Sequence, residues 1–232
     1  MMIVYGKNVI KEAIFSERPI YKLYVDDKFS DHHFLNFLKD KNIEFIRKPK
    51  GELNKLSQNA VHQGVVAEVK DYVTYELEDI MDSSKLQRFI ILDGIEDPHN
   101  LGAIMRTAEA VKFDGIILSK RGQVPLNATV AKVSSGAIEH VPVILVSNIN
   151  QAMLKLKQNN IWVIGTDGST EKTYHDMPLD LSLAIVLGNE GDGIRPLVKQ
   201  NCDMLVKIPM YGKINSLNVS VAAALMMYAT IK

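Results

Sequence analysis

Along the chain the hydrophobic period changes twice. Up to about residue 70, short apolar stretches alternate with segments whose apolar positions recur at helical spacing. "GKNVIKEAIF" sets Val9, Ile10, Ala13 and Ile14 on one side of a helix, and "FLNFLKDKN" predicts a second helix. "YKLYVDD", "IEFIRK" and "GVVAEVK" read as strands, the last with Val65, Ala67 and Val69 on one face. Helices alternating with strands predict a small α/β unit. "DYVTYELEDIMDSSKL" is then polar and acidic with sparse apolar positions, and it reads as a linker, part of which can be helical.

From Arg88 onward the strand candidates are continuous apolar runs: "RFIILDG", "DGIILS", "PVILV", "IWVIGTD", "LAIVLG" and "MLVKIP". Runs without alternation indicate strands buried on both faces, as in a parallel sheet covered by helices. Helical patterns lie among them in "NLGAIMRTAEAV", "NINQAMLKLKQNN", "GIRPLVKQN" and "SLNVSVAAALMMYATI". The expectation is α/β throughout, with residues 1–71 a smaller domain, 72–86 a linker and 87–232 a doubly wound domain. In such sheets ligands bind beyond the carboxyl ends of the strands.

Composition narrows the class. At 232 residues, 47% apolar and 23% charged, the chain has the make-up of a globular protein, and its apolar runs fall far short of the roughly 20 residues that cross a bilayer. "MMIVYGKNVIKEAI" lacks the basic and long apolar regions of a signal peptide. With a single cysteine, Cys202, no internal disulfide and no cysteine-based zinc cluster is available, which fits a reducing cytoplasm. Basic and acidic residues balance at 27 each, so bulk electrostatics does not point to a nucleic-acid coat. A local basic cluster, Arg47, Lys48 and Lys50 with Lys39, Lys41 and Lys55 nearby, reads as solvated surface or as an RNA contact.

The strand ends carry the candidate chemistry. "FIILDG" leads into "IEDPHNLGAIMRTAEA", where Asn100 is a candidate N-cap, Gly102 falls in the first turn and Arg106 about one turn further. "IWVIGTD" leads into "GST", "LAIVLG" into "NEGDG" and "MLVKIP" into "MYGKINSLNVSVA". The glycines of "GNEGDG" run G-x-x-G-x-G, not the dinucleotide order, and no lysine completes a phosphate loop. No G-x-S-x-G elbow is present, and the six histidines show no metal spacing, so no metal site is expected. What remains is a site of backbone amides, asparagines, serines, one glutamate and one arginine. It suits a polar ligand that is not strongly anionic and whose reactivity is its own, as in S-adenosylmethionine, with its positive sulfonium.

At these residues the sequence resembles the SpoU (TrmH) family of RNA ribose 2′-O-methyltransferases, in the SPOUT superfamily. "NLGAIMRTAEA" matches the family's N-x-G-x-x-x-R through Asn100, Gly102 and Arg106. "IVLGNEGDGI" matches G-x-E-x-x-G through Gly188, Glu190 and Gly193. "VKIPMYGKINSLNVSVAAAL" matches I-P-M followed by S-L-N-V-S through Ile208, Pro209, Met210, Ser216, Leu217, Asn218 and Ser220. The three motifs cover most of residues 88–232, and "YGKNVIKEAI" with "HQGVVA" resembles the family's substrate-binding domain, itself similar to ribosomal proteins that bind kinked RNA.

The resemblance implies a SPOUT-type α/β knot, a trefoil-knotted, mostly parallel sheet flanked by helices, in a homodimer joined through the knot domain. It implies S-adenosylmethionine held by Thr166, Gly188, Asn189, Gly193, Ile208, Pro209, Met210 and Leu217. It places Arg106 at the catalytic centre, with Asn100, Glu190, Ser216 and Asn218 positioning it and the ribose hydroxyl; for Glu190 a purely structural part in the turn stands slightly ahead. With "SSGAIEHVPV", it points to a guanosine ribose in 23S ribosomal RNA. A tRNA methyltransferase of the same family, a non-catalytic ribosome-assembly protein and a nucleotide-dependent oxidoreductase are the competing readings.

Overall fold

A computed structural model describes residues 1–189 and 191–231. In chain order the first part forms β1 (Met2–Tyr5), α1 (Lys7–Phe15), β2 (Ile20–Asp26), α2 (His32–Asp40), β3 (Ile46–Lys48), α3 (Lys50–Leu56) and β4 (Val65–Val69). Then come α4 (Leu77–Ile80), β5 (Arg88–Asp93), α5 (Pro98–Ala110), β6 (Gly115–Ser119), α6 (Ala128–Val133), β7 (Val143–Val146) and α7 (Ile149–Gln158). The chain continues through β8 (Ile161–Thr166), β9 (Ser182–Gly188), α8 (Pro196–Gln200), β10 (Met204–Val206) and α9 (Val219–Tyr228). Two units result: Met1–Tyr72 with Leu126–His140, and Val73–Pro125 with Val141–Lys232.

The first unit is built on a sheet of order β1-β4-β2-β3, with β4 antiparallel to both neighbours and β3 parallel to β2. Val9, Ile10 and Ala13, the helical stripe of α1, are buried with Leu23, Val25, Phe34 and Leu38. Asp31 starts α2, its carboxylate accepting the Phe34 N–H at 3.0 Å. The segment Leu126–His140 lies in the second half of the sequence, where the pattern assigns it to the larger domain, yet it packs here. Val130 and Ala131 of α6 are fully buried. At Gly136 (φ 93°) a Cβ would come within 2.5 Å of Glu12 Cγ, so only glycine fits. Arg18 pairs with Glu139 at 2.7 Å, both side chains buried, and the guanidinium lies 3.6 Å over the Tyr72 ring. Burial pushes the Glu139 carboxyl above its usual range, while Arg18 opposes that shift.

The second unit carries a six-stranded sheet, order β10-β8-β9-β5-β6-β7, with every pairing parallel. Phe89 to Leu92 of β5 and Leu183 to Leu187 of β9 are buried, as the continuous apolar runs predict. The expected linker is partly structured: Tyr75 N–H bonds Val143 O at 2.9 Å, and Leu77 of α4 joins the core cluster of this unit. Arg88 fixes the amino ends of the sheet by donating to the carbonyls of Leu179 (2.7 Å) and Leu181. Cys202 lies against Gly165, where a Cβ would approach its Sγ to 2.7 Å, and burial pushes its thiol up to about 12, which leaves it an inert packing residue.

Candidate active site at the carboxyl ends of the parallel sheet

Three neighbouring strand ends build the site. β9 ends at Gly188, in register with Asp93 at the end of β5. The chain then makes a closed turn, with Gly193 N–H donating to Asn189 O at 3.0 Å and Gly191 N–H to Asn189 Oδ1 at 2.7 Å. The return crosses so close to β9 that a Cβ on Gly188 would sit 2.0 Å from Gly193 C and 2.2 Å from Ile194 N. Gly188 is therefore demanded by the protein's own backbone. Gly193 (φ 67°) belongs to this turn, and α8 begins only at Pro196.

At the end of β8, Thr166 Oγ1 donates to Val186 O at 3.1 Å and Asp167 N–H to Val206 O at 2.9 Å. The Asp167 carboxylate accepts Ser169 N–H at 2.7 Å and pairs with Lys199 of α8. Beyond β10 the chain runs through Ile208 and Met210 to Leu217 and the start of α9. These segments enclose a cavity of about 340 Å³ lined by Thr166, Gly188, Asn189, Gly193, Ile208, Met210, Ser216 and Leu217. Its volume lies in the range of small-molecule sites. Pro209, expected on the same wall, is not among the lining residues, whereas Asp167, Lys207, Asn215, Val219 and Ala222 are. Asp167 directly follows a strand end, the signal that could have marked it.

α5 brings Asn100 to the beginning of α9. Its N-cap is Asp97, whose carboxylate accepts His99 N–H at 2.8 Å with Pro98 in the first turn, so Asn100 is three residues inside the helix and not its cap. Asn100 is buried, and its Oδ1 accepts Asn218 Nδ2 at 3.0 Å. Leu217 and Val219, on either side of Asn218, line the cavity. Gly102 is buried on α5. Arg106, six residues beyond Asn100, lies about 120° round the helix from it at 100° per residue. It is exposed and makes no hydrogen bond or ion pair with any described residue. Glu190 lies outside the described residues.

A parallel sheet with a small cavity at its carboxyl ends, joined in one chain to a second α/β unit, is the architecture of an α/β protein that binds a compact ligand beyond its strand ends. The chain belongs to the SpoU rRNA methylase family, whose model matches residues 87–228, and residues 3–75 match the RNA 2′-O ribose methyltransferase substrate-binding model. It is thereby an RNA 2′-O-ribose methyltransferase. A Staphylococcus aureus relative named for the TrmH family of tRNA/rRNA methyltransferases is 44% identical over 237 residues, 99% of this chain and 95% of its own. YacO of Bacillus subtilis, named likewise, is 44% identical over 97% of this chain and 93% of its own. Among solved structures, the SpoU methyltransferase AviRb of Streptomyces viridochromogenes, in complex with AdoMet, superposes with a TM-score of 0.85 at 24% identity, over 98% of this chain and 88% of AviRb.

Proposed function

We propose that the enzyme methylates the ribose 2′-hydroxyl of a guanosine in 23S ribosomal RNA in the cytoplasm, with S-adenosylmethionine as cofactor in the cavity between β8, β9 and β10. The observation that carries the reading is the convergence of Thr166, Gly188, Asn189, Gly193, Ile208, Met210 and Leu217 on that one cavity, with the Asn100–Asn218 bond at its edge. When bound, the cofactor supplies an electrophilic methyl on a sulfonium. The chain's own task is then placement. Arg106 holds the target phosphate and stabilises the ribose oxygen as its proton leaves. Asn100, Asn218 and Ser216 set the position of the hydroxyl.

RNA is held by the first unit, where β3 and α3 carry Arg47, Lys48, Lys50 and Lys55. Part of this cluster is already engaged: Arg47 donates to Asp26 O at 2.7 Å, and Lys48 pairs with Glu52. The enzyme acts as a homodimer through α9, whose Val221, Leu225 and Tyr228 are exposed at i, i+4 and i+7 as one apolar stripe. Mapping ribose methylation across ribosomal and transfer RNA from cells with and without the gene tests the substrate. Loss of one guanosine methylation in 23S RNA is expected, and loss confined to transfer RNA would overturn the choice. Leu225→Glu should convert the dimer to a monomer in light scattering; an unchanged mass would remove α9 from the interface.

A further inference from the structure

The turn that forms one wall of the cavity is held from outside by a pair that is not among the residues lining it. Asp93 ends β5 with its side chain wholly buried (0% exposed), and it accepts two hydrogen bonds and makes one further ion-pair contact, all with one residue. Arg195 N–H reaches its Oδ2 at 3.1 Å, while Arg195 Nε and Nη2 reach Oδ1 at 2.8 and 2.6 Å. The Arg195 side chain is 63% exposed and its charge is further favoured by the Asp93 hydrogen bond. Between Gly188, paired with Asp93 in the sheet, and Arg195, bonded to it, the chain contributes Asn189, Gly191, Asp192 and Gly193 to the cavity. Gly94, next to Asp93, faces the Asn189 side chain, which would lie 3.8 Å from a Cβ there.

From this geometry we infer that Asp93 and Arg195 are positioning residues that set cofactor affinity by fixing both ends of the 189–193 turn. The inference rests on the reading that the cavity holds S-adenosylmethionine. Oδ2 holds the backbone at the exit of the turn, and the guanidinium neutralises a carboxylate that would otherwise stand buried without compensation. Loss of the guanidinium loosens the turn, and the amides and carbonyls lining the cavity leave their places. Electrostatics alone gives the opposite sign: removing a cation near the cavity would favour a positively charged sulfonium.

Calorimetric titration of the full-length protein with S-adenosylmethionine and, separately, with S-adenosylhomocysteine tests this. Arg195→Ala should weaken both ligands about tenfold, the effect of losing one charge-assisted contact, and should lower the melting temperature as well, because it leaves the Asp93 carboxylate buried without its counter-charge. Arg195→Lys, which restores the charge and one contact, should recover part of the affinity. Asp93→Asn should weaken binding likewise, and if it fails to fold the Arg195 variants decide the matter. Unchanged or tighter binding by Arg195→Ala overturns the inference. Ala222→Phe, which grows into the cavity, should abolish binding of both ligands. If it does so while Arg195→Ala binds normally, only the positioning role falls; if it binds normally, the cavity assignment falls as well.

Discussion

Asn218 joins two distant parts of the chain through its two side-chain atoms. Its Oδ1 accepts Ser220 N–H at 2.9 Å and caps α9, while its Nδ2 donates to Asn100 Oδ1 at 3.0 Å across 118 residues. Asn218→Asp separates the two roles. Aspartate caps a helix as well as asparagine does, so the melting temperature should shift by no more than a few degrees. The same change turns the donor facing Asn100 into a second acceptor, and the methylation rate should fall about tenfold or more, the effect of roughly 1.4 kcal/mol on the barrier. Normal turnover by this variant would show that the bond to Asn100 has no part in placing the substrate.

Arg106 should behave in the opposite way to a structural arginine such as Arg88. It is exposed, and no described residue bonds it, so Arg106→Ala should change stability by no more than about 0.5 kcal/mol. If the guanidinium stabilises charge developing on the ribose oxygen, the rate at saturating cofactor should drop on the order of 10²- to 10³-fold. Cofactor affinity measured by calorimetry should stay within about twofold of the parent, since the residue is not among those lining the cavity. Near-normal methylation by the variant would dismiss Arg106 from the reaction.

The parallel sheet was legible because its strands are buried on both faces: Phe89 to Leu92 and Leu183 to Leu187 admit no polar residue. β1 and α3 were not, since four residues of "MIVY" and seven of "KGELNKL" are too short to show a period. That the Leu126–His140 segment packs with the first unit was not legible, because sequence order says nothing of which core Val130 and Ala131 enter. The start of α5 was misread at Asn100 although "EDPHN" holds the better signal, an acidic cap followed by proline at the first helical position. The glycine turns were found, but their reason was incomplete. Gly188 is fixed by a backbone crossing between residues of one chain, and no composition or spacing reveals that.

The three glycines of the 188–193 turn should rank differently when changed to alanine. At Gly188 the new Cβ would meet the Gly193 and Ile194 backbone at 2.0–2.2 Å, a clash that side-chain motion does not relieve. Gly188→Ala should be destabilised by more than about 3 kcal/mol or fail to accumulate folded, as expected of severe overpacking. Gly193→Ala meets nothing within 4 Å but must hold φ at 67°, which costs about 1 kcal/mol. Gly191→Ala would touch only Asn189 Oδ1 at 3.5 Å and should stay within about 0.5 kcal/mol of the parent. Thermal melts of the three variants check the order, and an equally stable Gly188→Ala would contradict the crossing.

His62 should make the first unit sensitive to mild acid. It is buried, and its ring is held in one tautomer: Nδ1 accepts Gly64 N–H at 3.0 Å, so the proton sits on Nε2, 2.9 Å from Asn54 Oδ1. Burial lowers its pKa below the ordinary histidine value; Lys50 adds to that shift and Asp26 opposes it. The unfolded chain therefore takes up the proton first as pH falls. The stabilisation is fully present above the ordinary value near 6.5 and is lost progressively as pH drops through the lower folded-state value. Protonation would also place a second N–H against Gly64 N–H, in a loop where Gln63 and Gly64 already hold φ of 56° and 81°. Melting temperatures of the parent and of His62→Gln between pH 7.5 and 5 check this. The parent should lose stability faster than the variant on acidification, and parallel curves would remove His62 as the cause.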